Sequence, residues 1–262
     1  MSTTVTSVAD VIAKRNREGN GAFVGYLPVG FPDLQTSIDA AVALAENGAD
    51  VLELGVPYSD PVMDGLVIQQ ATQTALERGF RLRDVFTAVE AIRNRVDVPV
   101  LVMTYWNPVL QYGVDKFADQ LASAGGSGLI TPDITPDSAA DWIATSERTG
   151  LDRVFLAAPT STDTRLRETV AATRGFVYAV STMGITGLRT DLDAAARTLV
   201  GRLKDAGSTT TCVGIGISNA DQVTQVLEYA DGAIVGTALV KALATDGVAG
   251  LASVTRTLTA GK

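Results

Sequence analysis

The 262 residues are 46% hydrophobic and 19% charged, enough apolar material for a large core, which excludes a disordered chain, a fibre or a small disulfide scaffold. With 21 basic against 29 acidic residues the net charge is −8, and no Lys/Arg stripe is present to neutralise a nucleic-acid backbone or an anionic membrane. Cys212 has no second cysteine to pair with, and the absence of histidine removes Ser-His and Cys-His chemistry and His-built metal sites, so acid–base work falls to carboxylates and tyrosines and no metal is expected. The polar start MSTTVTSVAD lacks the apolar centre of a signal peptide, and apolar runs such as 98–103 are far shorter than the roughly 20 residues that span a bilayer. A cytoplasmic protein without membrane association is expected.

In chain order, residues 5–17 read as a helix ahead of the first strand. Short β-branched or apolar runs then recur about every 20 to 35 residues, at 22–28, 49–55, 98–103, 128–131, 153–157, 176–180, 211–215 and 232–235, separated by amphipathic stretches of helical length. Asp33 and Asp137 are expected to N-cap the helices running to Asn47 and Arg148, and Gly48 and Gly150 to close them. A last helix is expected over 248–258. Eight strand–helix units without a linker or composition break predict an α/β fold: one (β/α)8 TIM barrel forming a single domain over 1–262, with an extra N-terminal helix.

In this architecture polar residues at the carboxyl ends of strands have the strongest claim on function. Period-two geometry on the second strand turns Val51 and Glu53 into the barrel and Leu52 and Leu54 outward, so a carboxyl points into an apolar interior. Burial there raises its pKa, as suits a group that both gives and takes a proton; the alternative is a Glu paired with a buried arginine. The following loop, 56–65, is long and proline-rich, and carries Asp60 and Asp64 as candidates for a lid or a partner contact, or as turn caps. Gly214-Ile215-Gly216-Ile217-Ser218-Asn219 after the seventh strand and Gly236-Thr237-Ala238 after the eighth place backbone N–H groups and a helix start where a phosphate binds in this fold. A third glycine run, Ser181-Thr182-Met183-Gly184-Ile185-Thr186-Gly187, is a candidate hinged lid.

Together, Glu53-Leu54-Gly55-Val56-Pro57-Tyr58-Ser59-Asp60-Pro61, Asp64-Gly65 and Met103-Thr104-Tyr105-Trp106-Asn107-Pro108 resemble the tryptophan synthase α-subunit family. Thr131-Pro132-Asp133, Ala158-Pro159-Thr160, Tyr178 and the three glycine runs extend the resemblance along the whole chain in the family's order. The resemblance implies a lyase of tryptophan biosynthesis that cleaves indole-3-glycerol phosphate to indole and glyceraldehyde 3-phosphate. It implies an α2β2 heterotetramer in which indole passes to a β subunit holding pyridoxal phosphate, with no cofactor in this chain. It also assigns catalysis to Glu53, Asp64 and Tyr178, phosphate contacts to Gly187, Gly216, Gly236 and Thr237, and loop or partner contacts to Asp60 and Thr186. Thr237 stands where many members have serine, Leu66 where proline is common, Thr182-Met183 in place of an arginine-containing version of the loop, and Thr135-Pro136 where the proline is shifted.

The same chemistry follows from the residues. Breaking the carbon–carbon bond beside an indole requires ring C3 to gain a proton and the side-chain hydroxyl to lose one; one carboxyl serves both ends, while a second offsets charge at the ring nitrogen. A Schiff-base aldolase or a metal-dependent barrel enzyme would show a Lys or a His-built site at a strand end, which this chain lacks. A stand-alone lyase releasing free indole, or a non-catalytic activator of a β subunit, remains as an alternative.

Overall fold

The computed structural model describes residues 7–180 and 189–262, with the backbone alone over 189–192. Helix α1 (Val8–Arg17) precedes β1 (Ala22–Pro28), α2 (Leu34–Glu46), β2 (Val51–Gly55), α3 (Leu66–Glu77), α4 (Arg83–Arg93) and β3 (Val100–Met103). There follow α5 (Trp106–Tyr112), α6 (Val114–Ser123), β4 (Gly128–Thr131), α7 (Ala140–Thr149), β5 (Asp152–Ala157), α8 (Asp163–Ala172) and β6 (Val177–Val180). The chain ends with α9 (Arg189–Asp205), β7 (Thr211–Gly214), α10 (Ala220–Leu227), β8 (Gly232–Val235) and α11 (Thr237–Thr259). The eight strands pair in sequence order, all parallel, and β8 returns to β1 to close the expected barrel.

Alternation along the strands builds two apolar layers. Val24, Val51, Leu101, Ile130, Val154, Phe176, Cys212 and Ile234 meet inside the barrel, one inward side chain from each strand or its start. Phe23, Leu27, Leu52, Leu54, Val100 and Val102 pack outward against the helices. Strands buried on both faces read as near-continuous apolar runs, which is why they were visible in the sequence.

Val8 and Ile12 of α1 join the inner cluster and close the end where the strands begin. Polar ties hold α1 there: Val8 N donates to Asp152 at the start of β5 (3.1 Å), and Asn16 Nδ2 donates to Asp231 just before β8 (2.9 Å). Asp50, ahead of β2, is buried and accepts from Arg15 Nε (2.6 Å), Phe23 N (2.8 Å) and Lys262 Nζ (2.6 Å), so three parts of the chain converge on one carboxylate.

Several boundaries differ from expectation. β2 starts at Val51 because Ala49 N still donates to Leu44 O at the end of α2. β3 starts at Val100 because Pro99 has no N–H for the ladder. Asp33 caps α2 as expected, accepting from Thr36 N at 2.8 Å, and Gly48 and Gly150 follow their helices with positive φ. Asp137 is not a helix cap: it lies in a 3-10 turn, Pro136–Ser138, and binds Arg165 of α8, while α7 begins after Ala139 without a side-chain cap. The helix expected over 248–258 is the second half of α11, which is long and apolar enough by composition to cross a membrane. Gly247, at φ 64° and ψ −160°, breaks it into 237–246 and 248–259, each about half of the roughly 20 residues a span requires, and both halves bury residues in the fold.

Candidate active site

Glu53 shares a register level with Tyr26 of β1 and Leu101 of β3, and its side chain points inward as the alternation requires. It is 1% exposed, and its Oε2 atom has no hydrogen-bond partner. Removal from water, reinforced by the nearby charge of Asp64, pushes its carboxyl up to about 8. Asp64 ends the loop after β2, one residue before the Gly65 cap of α3, and burial alone raises its carboxyl to about 6. At neutral pH Glu53 therefore mostly keeps its proton while Asp64 is mostly ionised, two carboxyl groups held in different protonation states by their surroundings.

A cavity of about 210 Å³ joins Glu53 and Asp64 to Tyr178, Gly216, Gly236 and Thr237. The Tyr178 hydroxyl lies flat across Gly214 on the neighbouring strand, where a Cβ would stand only 2.6 Å from it. Burial, followed by the charge of Glu53, keeps this phenol neutral far above the ordinary tyrosine range. On the side where phosphate contacts are expected, α11 starts at Thr237, and its first intrahelical bond runs from Val240 N to Gly236 O (3.0 Å), so the N–H groups of its first turn are free of that ladder. Gly216 holds φ 73°, with nothing within 4 Å of the place a Cβ would take, leaving its backbone open to an approaching ligand. Gly187 and Thr186, with the rest of the glycine run over 181–187, lie outside the described residues.

The structure separates the two loop aspartates. Asp64 lines the cavity; Asp60 is exposed and accepts from Ser59 Oγ at 2.6 Å. The motif after β3 holds the loop in place. Met63 N donates to Tyr105 Oη (2.9 Å), Tyr58 stacks on Tyr105 with ring centres 5.1 Å apart, and Gln69 Nε2 donates to Asp64 O (2.8 Å). Asp133 in turn accepts from Trp106 N at 2.9 and 3.1 Å, so the Thr131-Pro132-Asp133 motif serves as a support. Around this rim Val62 (81%), Leu66 (69%) and Leu110 (50%) are large apolar side chains left exposed.

Sequence reasoning missed Tyr26, which also lines the cavity. The available signal was period two: Ala22, Val24 and Tyr26 share the inward face of β1. Among the described residues no group of three acidic or cysteine side chains is placed to hold a metal.

Residues 12–260 match the family model described as "Tryptophan synthase alpha chain". The chain is 73% identical over 245 residues to the tryptophan synthase alpha chain of Leifsonia xyli subsp. xyli, covering 94% of each, and 54% identical over 244 residues to that of Mycobacterium intracellulare, covering 93% and 90%. Among solved structures, a chain of Mycobacterium tuberculosis tryptophan synthase superposes with TM-score 0.93 at 51% identity, covering 98% of both chains. Tryptophan synthase subunit alpha from Legionella pneumophila does so with TM-score 0.88 at 29% identity, again over 98% of both.

Proposed function

Because the chain belongs to the tryptophan synthase alpha chain family, we propose that Glu53, Asp64 and Tyr178 carry out the family's reaction in the cavity at the barrel mouth. That reaction is the cleavage of indole-3-glycerol phosphate to indole and glyceraldehyde 3-phosphate, a lyase step of tryptophan biosynthesis performed with a β subunit.

Glu53, protonated near neutrality, gives its proton to ring C3. The positive charge that develops at the ring nitrogen is offset by Asp64, ionised above about 6 and half-buried where such a charge is worth most. Glu53, now a carboxylate, takes the proton of the hydroxyl on the carbon attached to C3. The oxygen's electrons become the aldehyde carbonyl, the C–C bond pair returns to the ring to restore aromatic indole, and Glu53 ends protonated as it began. Tyr178, held neutral, orients Glu53 or that hydroxyl.

Gly216, Gly236 and Thr237, with Gly187 from the third glycine run, hold the phosphate. With a net charge of −8 the protein's overall field repels an anion, so local N–H dipoles and the α11 start must supply the attraction, about 0.3–2 kcal/mol for the helix end. The exposed Val62, Leu66 and Leu110, with Asp60 among them, form the surface offered to the β subunit of an α2β2 assembly. Pyridoxal phosphate belongs to that partner, and the complex works in the cytoplasm.

The observation that carries the assignment is the pair of carboxyls, one protonated and one ionised at neutrality, in a single cavity facing the glycine cradle. Indole release from indole-3-glycerol phosphate, with and without a β subunit, tests it. Loss of release in Glu53→Gln is expected. Free indole produced at full rate without the partner would favour a stand-alone lyase, and no indole under either condition an activator.

A further inference from the structure

Tyr26 has no part in the reaction as set out above, yet its position is specific. It lies at the register level of Glu53 and is 5% exposed. Its hydroxyl crosses to β2 and lies directly over Gly55, where any Cβ would collide with it. Its ring edge lies beside Gly236, Cδ1 standing 3.3 Å from the point a Gly236 Cβ would occupy. Gly55 follows Glu53 by one inward position, so the hydroxyl stands one layer nearer the mouth than the Glu53 carboxyl, where the loop leaving β2 brings Asp64 into the same cavity. Among the described residues, no hydrogen-bond donor meets the Asp64 carboxylate in the ligand-free chain.

We propose that Tyr26 is a positioning residue whose phenolic O–H donates to the Asp64 carboxylate when substrate fills the cavity, aiming that carboxylate at the indole N–H. This rests on the reading of Asp64 given above. The phenol is fit to donate, since burial and then Asp64, ahead of Glu53, Tyr105 and Tyr178, oppose its ionisation. The titratable groups facing the pair are those same three: Glu53 from β2, Tyr105 after β3 and Tyr178 from β6. Tyr105 is the competing donor, but it does not line the cavity.

A donor lost from an ionised carboxylate raises the pKa of that carboxylate. In Tyr26→Phe, which keeps the ring in place, the acid limb of kcat for indole release by the α–β complex, which reports the substrate-bound state, is expected about one pH unit higher. The loss is then about fivefold at the wild-type midpoint, close to tenfold from about one unit below it, and small at pH 8. Independently of turnover, the full chain labelled with [13Cγ]-aspartate and saturated with a non-cleavable indolyl-alkyl phosphate should show the Asp64 resonance, assigned with Asp64→Asn, titrating about one unit higher in Tyr26→Phe than in wild type. An unmoved Asp64 titration, a loss equal at every pH, or the same shift from Tyr105→Phe would overturn the proposal. If wild type fails to cleave substrate while the resonance still shifts, the functional reading fails and the hydroxyl–carboxylate bond stands.

Discussion

Replacing Glu53 by Gln should abolish cleavage and, at alkaline pH, make the protein more stable. The folded carboxyl titrates near 8 rather than at its ordinary 4.5, so ionising it inside the barrel opposes folding. The sign is fixed by which state binds the proton more tightly: below 4.5 the side chain is protonated folded and unfolded, and no penalty exists. As pH rises, the unfolded chain ionises first, and the penalty grows until the folded group also ionises near 8. At about 1.36 kcal/mol per pH unit the interval amounts to roughly 5 kcal/mol above pH 8, about 3 at pH 7 and less than about 1 at pH 5. Gln fills the same volume and never ionises, so the variant escapes this term. Urea denaturation of both proteins at pH 5 and pH 8.5 should give a stability difference that moves in favour of Gln by a few kcal/mol between the two, while kcat falls about 10²–10⁴-fold. A difference that is the same at both pH values would mean that Glu53 is not held protonated by burial, and the proton cycle assigned to it would lose its basis.

If Asp64 must be ionised and Glu53 protonated, kcat/KM should follow a bell rising through about 6 and falling through about 8, as measured by indole release. Asp64→Asn should lower kcat about 10–100-fold and move the falling limb to lower pH, because the Asp64 charge helps to hold the proton on Glu53; an unmoved limb would uncouple the two. Gly216→Val should weaken glycerol phosphate binding in calorimetry, since a β-branched residue is strained at φ 73° and would crowd the anion's approach, and Gly236→Val should do so while also pressing on Tyr26. Leu66 is the exposed first residue of α3, a position that suits proline, so Leu66→Pro should raise thermal stability by about 0.4–1 kcal/mol. It should also raise the activity of the isolated chain and reduce its stimulation by the β subunit; hydrogen exchange over 58–65 with and without partner follows the same loop.

The barrel was legible because its strands are buried on both faces and bounded by glycine and proline: the ranges of β1, β4 and β8 match the expected 22–28, 128–131 and 232–235. The errors lie where an apolar side chain and a backbone bond disagree. Ala49 and Val98 look like strand, yet one finishes a helix and the other precedes a proline. Inward placement of Glu53 followed from period two alone. Asp60 and Asp64 could not be told apart by composition, since the choice is made by tertiary ties: Tyr105 on Met63 and Gln69 on the Asp64 carbonyl turn one aspartate inward and leave the other in water. Asp137 looked like a cap and became half of an ion pair with Arg165, 28 residues on. Tyr26 was passed over because an aromatic on a strand is usually core, and its register with Glu53 exists only once two strands are paired.

The glycines at the ends of β2 and β7 shape the cavity by what they omit. Gly55 and Gly214 each occupy an inward position where a side chain would be expected, and each is covered by the phenol of a tyrosine from the strand beside it. Were either position to carry even a methyl group, its tyrosine would be forced upright into the cavity that Glu53 and Asp64 line. The width of that cavity is thus encoded in pairs, an absent side chain on one strand and a reclining one on the next, so Gly55 is expected to change in step with residue 26, and Gly214 with residue 178.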